Sequence, residues 1–168
     1  MIIYYFYKKY TVYILNIHYI MNQLPNGYTI RELRADDYKG YLELLSQLSV
    51  VGNITETEFV YQYVQIKENH NHHIIVIEDD QGNIAGCSTL LIEPKFLHNC
   101  GYVGHIEDVV IHQNYRKYGL GSIIIYYMVA LGKSHGCYKI ILDCKPNNVQ
   151  FYEKNGFKSH EISMRCNL

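Results

Sequence analysis

Two acids and two glycines stand close together in "IEDVVIHQNYRKYGLG" (106–121). Glu107 and Asp108 interrupt an otherwise apolar, β-branched run that reads as a strand. Gly119 and Gly121 belong to "RKYGLGS" (116–122), which directly precedes a strongly apolar helical stretch. A helix start offers unpaired N–H groups at the positive end of its macrodipole, so the loop is a candidate anion cradle. Neighbouring residues of a strand alternate faces, so Glu107 and Asp108 are expected to point oppositely, and not both at one substrate. A carboxylate inside so apolar a strand is a candidate general base.

The anion is narrowed by what the loop lacks. A dinucleotide-binding fingerprint needs a third glycine where Ile124 stands. A Walker loop ending in Gly132-Lys133-Ser134 would need its first glycine at Tyr127.

The elements around this segment alternate between strand and helix patterns. "GYTIREL" (27–33) alternates as a strand. "DDYKGYLELLSQLS" (36–49) aligns Tyr38, Leu42, Leu45 and Leu48 on one helical face, with Asp36 as its cap. A second helix over 55–70 opens with the capping box Thr55 and Glu58 and turns Phe59, Tyr63 and Ile66 inward. "HHIIVIEDD" and "IAGCSTLLIE" are strands joined by a hairpin at Asp80-Gln81-Gly82-Asn83. A central strand over 101–112 carries the acids. Then come a helix over 119–135, a strand over 138–144, a helix over 148–156 and a last strand, "EISMRCN". The order predicts one α/β domain with a mixed sheet flanked by helices.

Composition removes several function classes. The chain of 168 residues suits one domain with a real core and is too short for two ordinary ones. A net charge of −1 gives no footprint for nucleic acid and no polybasic membrane patch. The five cysteines, Cys87, Cys100, Cys137, Cys144 and Cys166, form no C-x-x-C pair, and are expected to be reduced, mostly buried thiols of a cytoplasmic protein. "NHNHH" (69–73) has three histidines but no acid or cysteine at ligand spacing, so a solvated loop is expected there and no metal site. Residues 1–20, rich in Tyr and Ile, are split by Lys8 and Lys9. No apolar run reaches the ~18 residues of a membrane span, and no cleavage site follows. They are expected to be an extension outside a catalytic fold that covers 21–168.

The pattern Arg-x-x-Gly-x-Gly, after a strand and opening a helix, resembles the coenzyme loop of the GNAT acetyltransferase superfamily. "GHIEDVV", "GCYKIILDC", "NVQFYEKNGF" and "EPKFLH", with "LPNGYTIRELRADDY" and "QLSVVGNIT", narrow the resemblance to the eukaryotic-type glucosamine-6-phosphate N-acetyltransferases over about residues 21–168. The resemblance implies a GNAT fold and a cytoplasmic homodimer. It implies transfer of acetyl from acetyl-coenzyme A to the amine of glucosamine 6-phosphate, toward UDP-N-acetylglucosamine, with no metal.

The same resemblance implies roles residue by residue. Arg116, Lys117, Tyr118, Gly119, Leu120, Gly121 and Ser122 form the loop that grips the pyrophosphate, and Asn148 bonds coenzyme A. The backbone of Val109, Val110 and Ile111 runs beside the pantetheine arm, where an amide polarises the thioester carbonyl. Glu107 is the base near the amine, Asp143 holds the amine, and Tyr152 serves the leaving thiolate. Asp108 orients the ligand or the structure around it. Lys95, His98 and Ser49, which stands where the family has threonine, are the donors for the sugar phosphate. A basic residue from the partner subunit completes that set; Arg165 is the candidate, with Asn167 at the matching position. Cys144 beside Asp143 raises an acetyl-cysteine route, but no histidine stands at a relay position and the superfamily transfers directly. Two rival readings remain: the same chemistry on another amine, and a catalytically silent acyl-coenzyme A binder.

Overall fold

The computed structural model describes residues 19–167. Five strands form one sheet in the order β1 (Tyr28–Glu32), β2 (His72–Asp79), β3 (Ile84–Pro94), β4 (Tyr102–Ile111) and β5 (Cys137–Leu142). The first four are antiparallel to their neighbours, and β5 runs parallel to β4. Helices α1 (Tyr38–Ser46) and α2 (Glu56–Glu68) join β1 to β2, α3 (Leu120–Ser134) makes the crossover from β4 to β5, and α4 (Val149–Lys154) follows β5. The mixed sheet expected from the alternating patterns is present.

Both faces of the sheet are covered, so its middle strands are apolar on both sides rather than alternating. In β2, Ile75 and Ile77 pack with Leu90, Ile106, Ile124, Ile125 and Met128 against α3. Ile74 and Val76 face the other way, toward Tyr41, Leu44 and Phe59 of α1 and α2. The turn between β2 and β3 is organised by Asp79, whose Oδ1 accepts from the amides of Gln81 and Asn83 while Gly82 takes φ +82°. The capping box at α2 is formed: Thr55 and Glu58 each accept from the other's backbone N–H.

Several expectations are corrected. The face that α1 buries is led by Tyr41 and Leu44; Tyr38, Leu42 and Leu45 flank it, and Leu48 lies beyond the helix end, exposed. Asp37 rather than Asp36 stands at the N-cap of α1, without a side-chain capping bond to it. Its carboxylate instead accepts from the Arg34 amide ahead of the 3-10 turn Ala35–Asp37 and bridges to Arg31. Residues 158–167 contain no strand, so the last strand expected at 161–167 is absent from the single chain. Of the cysteines, Cys87 is buried and Cys137 half-buried, whereas Cys100, Cys144 and Cys166 are exposed. The expectation for residues 1–20 falls largely outside the described residues. At its end Ile20 is 8% exposed and sits in the α3-side core, so the fold begins before Met21.

Candidate active site

The site follows from where two parallel strands stop pairing. The ladder between β4 and β5 runs from Tyr102↔Cys137 to Ile106↔Leu142 and ends there. Past that point the strands diverge. Glu107 to Ile111 on one side and Asp143 to Asn148 on the other become walls of a cleft of about 780 Å³. Ligands of open α/β sheets collect beyond the carboxyl ends of strands, which is where this opening lies.

A bulge shapes one wall. Between Cys87↔Val110 and Thr89↔Glu107, Ser88 alone faces Asp108 and Val109. Asp108 takes φ +51°, a left-handed conformation unusual for a side-chain-bearing residue. The bulge is held from behind: Cys87 Sγ donates to the Asp108 carbonyl at 3.5 Å, and Ser88 Oγ to the Glu107 carbonyl at 3.4 Å. The extra residue breaks the two-residue alternation. Glu107 and Asp108 are both among the residues that line the cleft.

Neither acid forms an ion pair among the described residues; the basic residues of the cleft lining are Arg116, at the loop, and Lys145. Burial raises the Glu107 carboxyl above the ordinary glutamate value, and the charges of Asp108 and Asp143 add to the rise, with His105 opposing. A carboxylate so placed is a better proton acceptor than a surface glutamate. Asp143 accepts from Ser163 Oγ at 3.0 Å, which brings the C-terminal segment to the rim. Tyr152 forms the floor, 8% exposed, its ring packed edge-on between Phe151 and Phe157. Burial, and then Cys144, push its phenol above its usual value, so the hydroxyl stays protonated at neutral pH.

The opposite end of the cleft is the glycine loop. Gly119 caps α3 with φ +74°, and a Cβ there would meet nothing within 4 Å, so the backbone conformation and not crowding asks for glycine. Gly121 differs: its Cβ would lie 3.2 Å from the Phe151 ring. The first amides of a helix lack an intrahelical partner. Here those of Ser122 and Ile123 already donate to the Gly119 carbonyl, and Gly119, Gly121 and Ser122 line the cleft. Arg116 Nε donates to the Ile111 carbonyl, folding the arginine along the rim. Behind the loop, Tyr115 Oη donates to Asp79 Oδ2 at 2.7 Å, and Tyr28 packs against both Tyr115 and Tyr118. An open loop of small residues at a helix start, with a neighbouring cation, suits a pyrophosphate.

Most of the residues expected at the site come together. Glu107, Asp108, Val109, Val110, Ile111, Arg116, Gly119, Gly121, Ser122, Asp143, Asn148 and Tyr152 all line this one cleft. Lys117 and Tyr118 are exposed on the loop outside it, and Leu120 turns into the core at 1% exposure. Ser49 is exposed one residue beyond Leu48, which does line the cleft. The other phosphate donors are elsewhere. Lys95 pairs with Glu93, which also accepts from His105. His98 stacks on Tyr138 at 4.0 Å, within a turn where His98, Asn99 and Cys100 are all left-handed. Arg165 is not among the residues of the cleft wall. Gln47, Lys145, Asn147 and Phe151 line the cleft without having been singled out. Phe151 carried a readable signal, standing beside Tyr152 in "NVQFYEKNGF"; Gln47 carried none. Among the described residues, no group of three or more His, Cys, Asp or Glu is arranged to hold a metal ion. Among them too, no helix is long and apolar enough to cross a membrane.

Residues 28–157 match the acetyltransferase (GNAT) family. The chain is 42% identical to glucosamine 6-phosphate N-acetyltransferase of Arabidopsis thaliana over 144 residues, 84% of this chain and 97% of that one. It is 38% identical to the Candida albicans enzyme of that name, over 85% and 97% of the two chains. The crystal structure of the Arabidopsis enzyme superposes with a TM-score of 0.81, covering 83% of this chain and 97% of that one at 43% identity. An acetyltransferase from Trypanosoma brucei superposes at 0.78 with 36% identity, over 84% and 99% of the two chains. The splayed strands, the glycine loop and these likenesses agree: the chain belongs to the GNAT acetyltransferases and, within them, to the glucosamine 6-phosphate N-acetyltransferase family.

Proposed function

We propose that the protein transfers acetyl from acetyl-coenzyme A to the amino group of D-glucosamine 6-phosphate, directly, in a ternary complex. The observation that carries the reading is the divergence of β4 and β5. It puts the acids at one end of a long cleft and the glycine loop at the other. The names of the relatives, glucosamine 6-phosphate N-acetyltransferases, support the acceptor.

In this reading the pyrophosphate sits against the start of α3 at Gly119 and Gly121, beside Arg116 and Lys117, with Asn148 on the opposite wall. The pantetheine arm lies along Val109 to Ile111, as an added strand on the edge that β5 vacates. Asp143 and Asp108 hold the acceptor's ammonium, and Glu107 takes its proton, directly or through water. The freed amine nitrogen attacks the thioester carbon, whose oxygen becomes negative and accepts from a β4 amide. The tetrahedral adduct then collapses, the carbon–sulfur bond breaks, and Tyr152 gives its proton to the leaving thiolate. The surplus proton left on the nitrogen passes through water to restore the Tyr152 hydroxyl. The product is N-acetyl-glucosamine 6-phosphate, a precursor for UDP-N-acetylglucosamine.

The sugar phosphate needs more cations than one chain brings to the cleft. Ser49 is near the mouth, but Lys95, His98 and Arg165 are not in its wall. A homodimer in which the partner's copies approach the acceptor end supplies the missing charge. Exposed Ile162 and Met164 on the C-terminal segment, and exposed Phe96 and Leu97 beside Lys95, are apolar surface suited to such a contact. The reading places the enzyme in the cytoplasm.

The test is acceptor-dependent release of free thiol from acetyl-coenzyme A. Glucosamine 6-phosphate is set against glucosamine, a polyamine and a peptide N-terminus. Release with the phosphorylated amino sugar alone is expected. Preference for another amine moves the acceptor, and coenzyme binding without turnover of any amine replaces catalysis by a silent binder.

A further inference from the structure

One hydrogen bond ties the end of α1 to the turn that follows β4. The amide of Gln113 donates to Oε1 of Gln47 at 2.9 Å, linking residues sixty-six positions apart. Gln113 opens the single turn of 3-10 helix, Gln113–Tyr115, that leads from β4 into the coenzyme loop. Its amide is therefore a helix-start donor without a partner in its own turn. The neighbouring amide, that of Asn114, is taken up locally by His112 Nδ1. The Gln113 amide is instead satisfied from the end of α1.

Gln47 is the C-cap of α1, half-buried and lining the cleft together with Leu48. It stands at the root of the segment 48–54, which carries Ser49. That segment has one other side-chain anchor, at its far end, where Tyr38 Oη donates to the Ile54 carbonyl at 2.7 Å. Between the anchors Val50 is 95% exposed, and Gly52 takes φ +79° with nothing near its Cβ position. The segment is thus a loosely packed span, held to the coenzyme side by one bond.

We infer that Gln47 is a positioning residue that couples the two substrates, by tying the acceptor-side segment 48–54 to the turn leading into the coenzyme loop. Coenzyme on the 116–122 loop fixes the 3-10 turn behind it. The Gln113 amide then fixes Gln47, and Gln47 sets Leu48 and Ser49 over the acceptor end. The acceptor so meets an ordered wall only after coenzyme has bound. Reciprocity follows: each ligand tightens the other by the same factor. The inference rests on the acetyl-transfer reading for the acceptor, and on the coenzyme site alone for the movement of the segment.

Backbone hydrogen exchange on the full chain, with and without coenzyme A, tests it. In the unsubstituted protein and in Gln47→Glu, which keeps an acceptor oxygen, coenzyme A should slow exchange in both 116–122 and 48–54. In Gln47→Leu, 116–122 should still be protected while 48–54 keeps the ligand-free rate. Protection of 116–122 without 48–54 in the unsubstituted protein overturns the latch, as does full protection of 48–54 in Gln47→Leu. The companion readout is the affinity for glucosamine 6-phosphate with and without coenzyme A. An enhancement of about fivefold or more is expected, kept in Gln47→Glu and lost in Gln47→Leu. A normal exchange pattern with no affinity for glucosamine 6-phosphate would leave the latch standing and refute the acceptor instead.

Discussion

Two hollows of this molecule collect titratable side chains, and only one is built to use them. Beside α2, a hollow of about 220 Å³ is lined by Glu32, Lys67, His70, His72 and His73 among others. Between β4 and β5, the larger cleft holds Glu107, Asp108 and Asp143. In the first the charges are spent on one another: Lys67 pairs with Glu32, and His73 stacks on His135 with ring centroids 4.7 Å apart. Burial lowers His72 and His73, and for His73 the neighbouring His135, His72 and Lys67 lower it further while Glu32 opposes. These rings are neutral at physiological pH, and "NHNHH" is not the solvated loop expected throughout, since His72 and His73 open β2. In the second hollow Glu107, Asp108 and Asp143 form no ion pair among the described residues, although Arg116 and Lys145 also line the cleft. Burial, with the charges of Asp108 and Asp143, raises Glu107. A count of ionisable residues does not separate the two. What separates them is whether opposite charges are already matched inside the fold.

The comparison can be broken most forcefully at the cleft floor. Tyr152→Phe removes the proton for the thiolate, and kcat should fall ~10²–10⁴-fold with the coenzyme dissociation constant nearly unchanged, measured by turnover and calorimetry. Next is the loop. Gly119→Val forces a β-branched residue to φ +74°, which at about 1–2 kcal/mol should weaken coenzyme binding about tenfold, read as a rise in acetyl-coenzyme A KM. An unchanged KM would show that the loop does not carry the pyrophosphate.

A smaller effect sharpens the electrostatic side. If Glu107 is the base, the acid limb of kcat/KM follows its deprotonation, above an ordinary glutamate. The negative charge of Asp108 raises that value, so Asp108→Asn should move the limb to lower pH. The smallest effects belong to the histidine hollow, where His70→Ala should leave kcat within about twofold. His73 should report on stability alone. Its value in the folded protein is below the unfolded ~6.5, so the unfolded state takes up more protons as pH falls through that range. Thermal stability should therefore drop from about pH 7.5 to about pH 5.5, and drop less in His73→Gln.

The sequence made the two ends of the cleft legible, because each is marked by residue type. Glycines before an apolar helix, and acids inside an apolar strand, are departures that spacing alone exposes. It did not reveal that the register of β4 shifts at Glu107 and Asp108, where Asp108 takes φ +51°. Strand alternation carries no sign of the bulge opposite Ser88, a register event set by β3. Gln47 was illegible for a like reason, since its partner lies sixty-six positions away and is a backbone amide with no residue identity. Tyr41 and Leu44 were misassigned in favour of Leu48, because the helix ends at Ser46 and the periodicity runs on past it. Lys95 and His98 were read from a resemblance; in the single chain they are occupied by Glu93 and Tyr138.

The claim at the centre is that an unmatched acid on β4 does the chemistry while the loop only binds. Turnover and coenzyme affinity of Glu107→Gln, determined on the same preparation, test it most directly. The account predicts thiol release reduced by ~10²-fold or more at saturating substrates, with the coenzyme A dissociation constant within about twofold of the unsubstituted protein. Retained turnover, or a loss accounted for by weaker coenzyme binding, would contradict it.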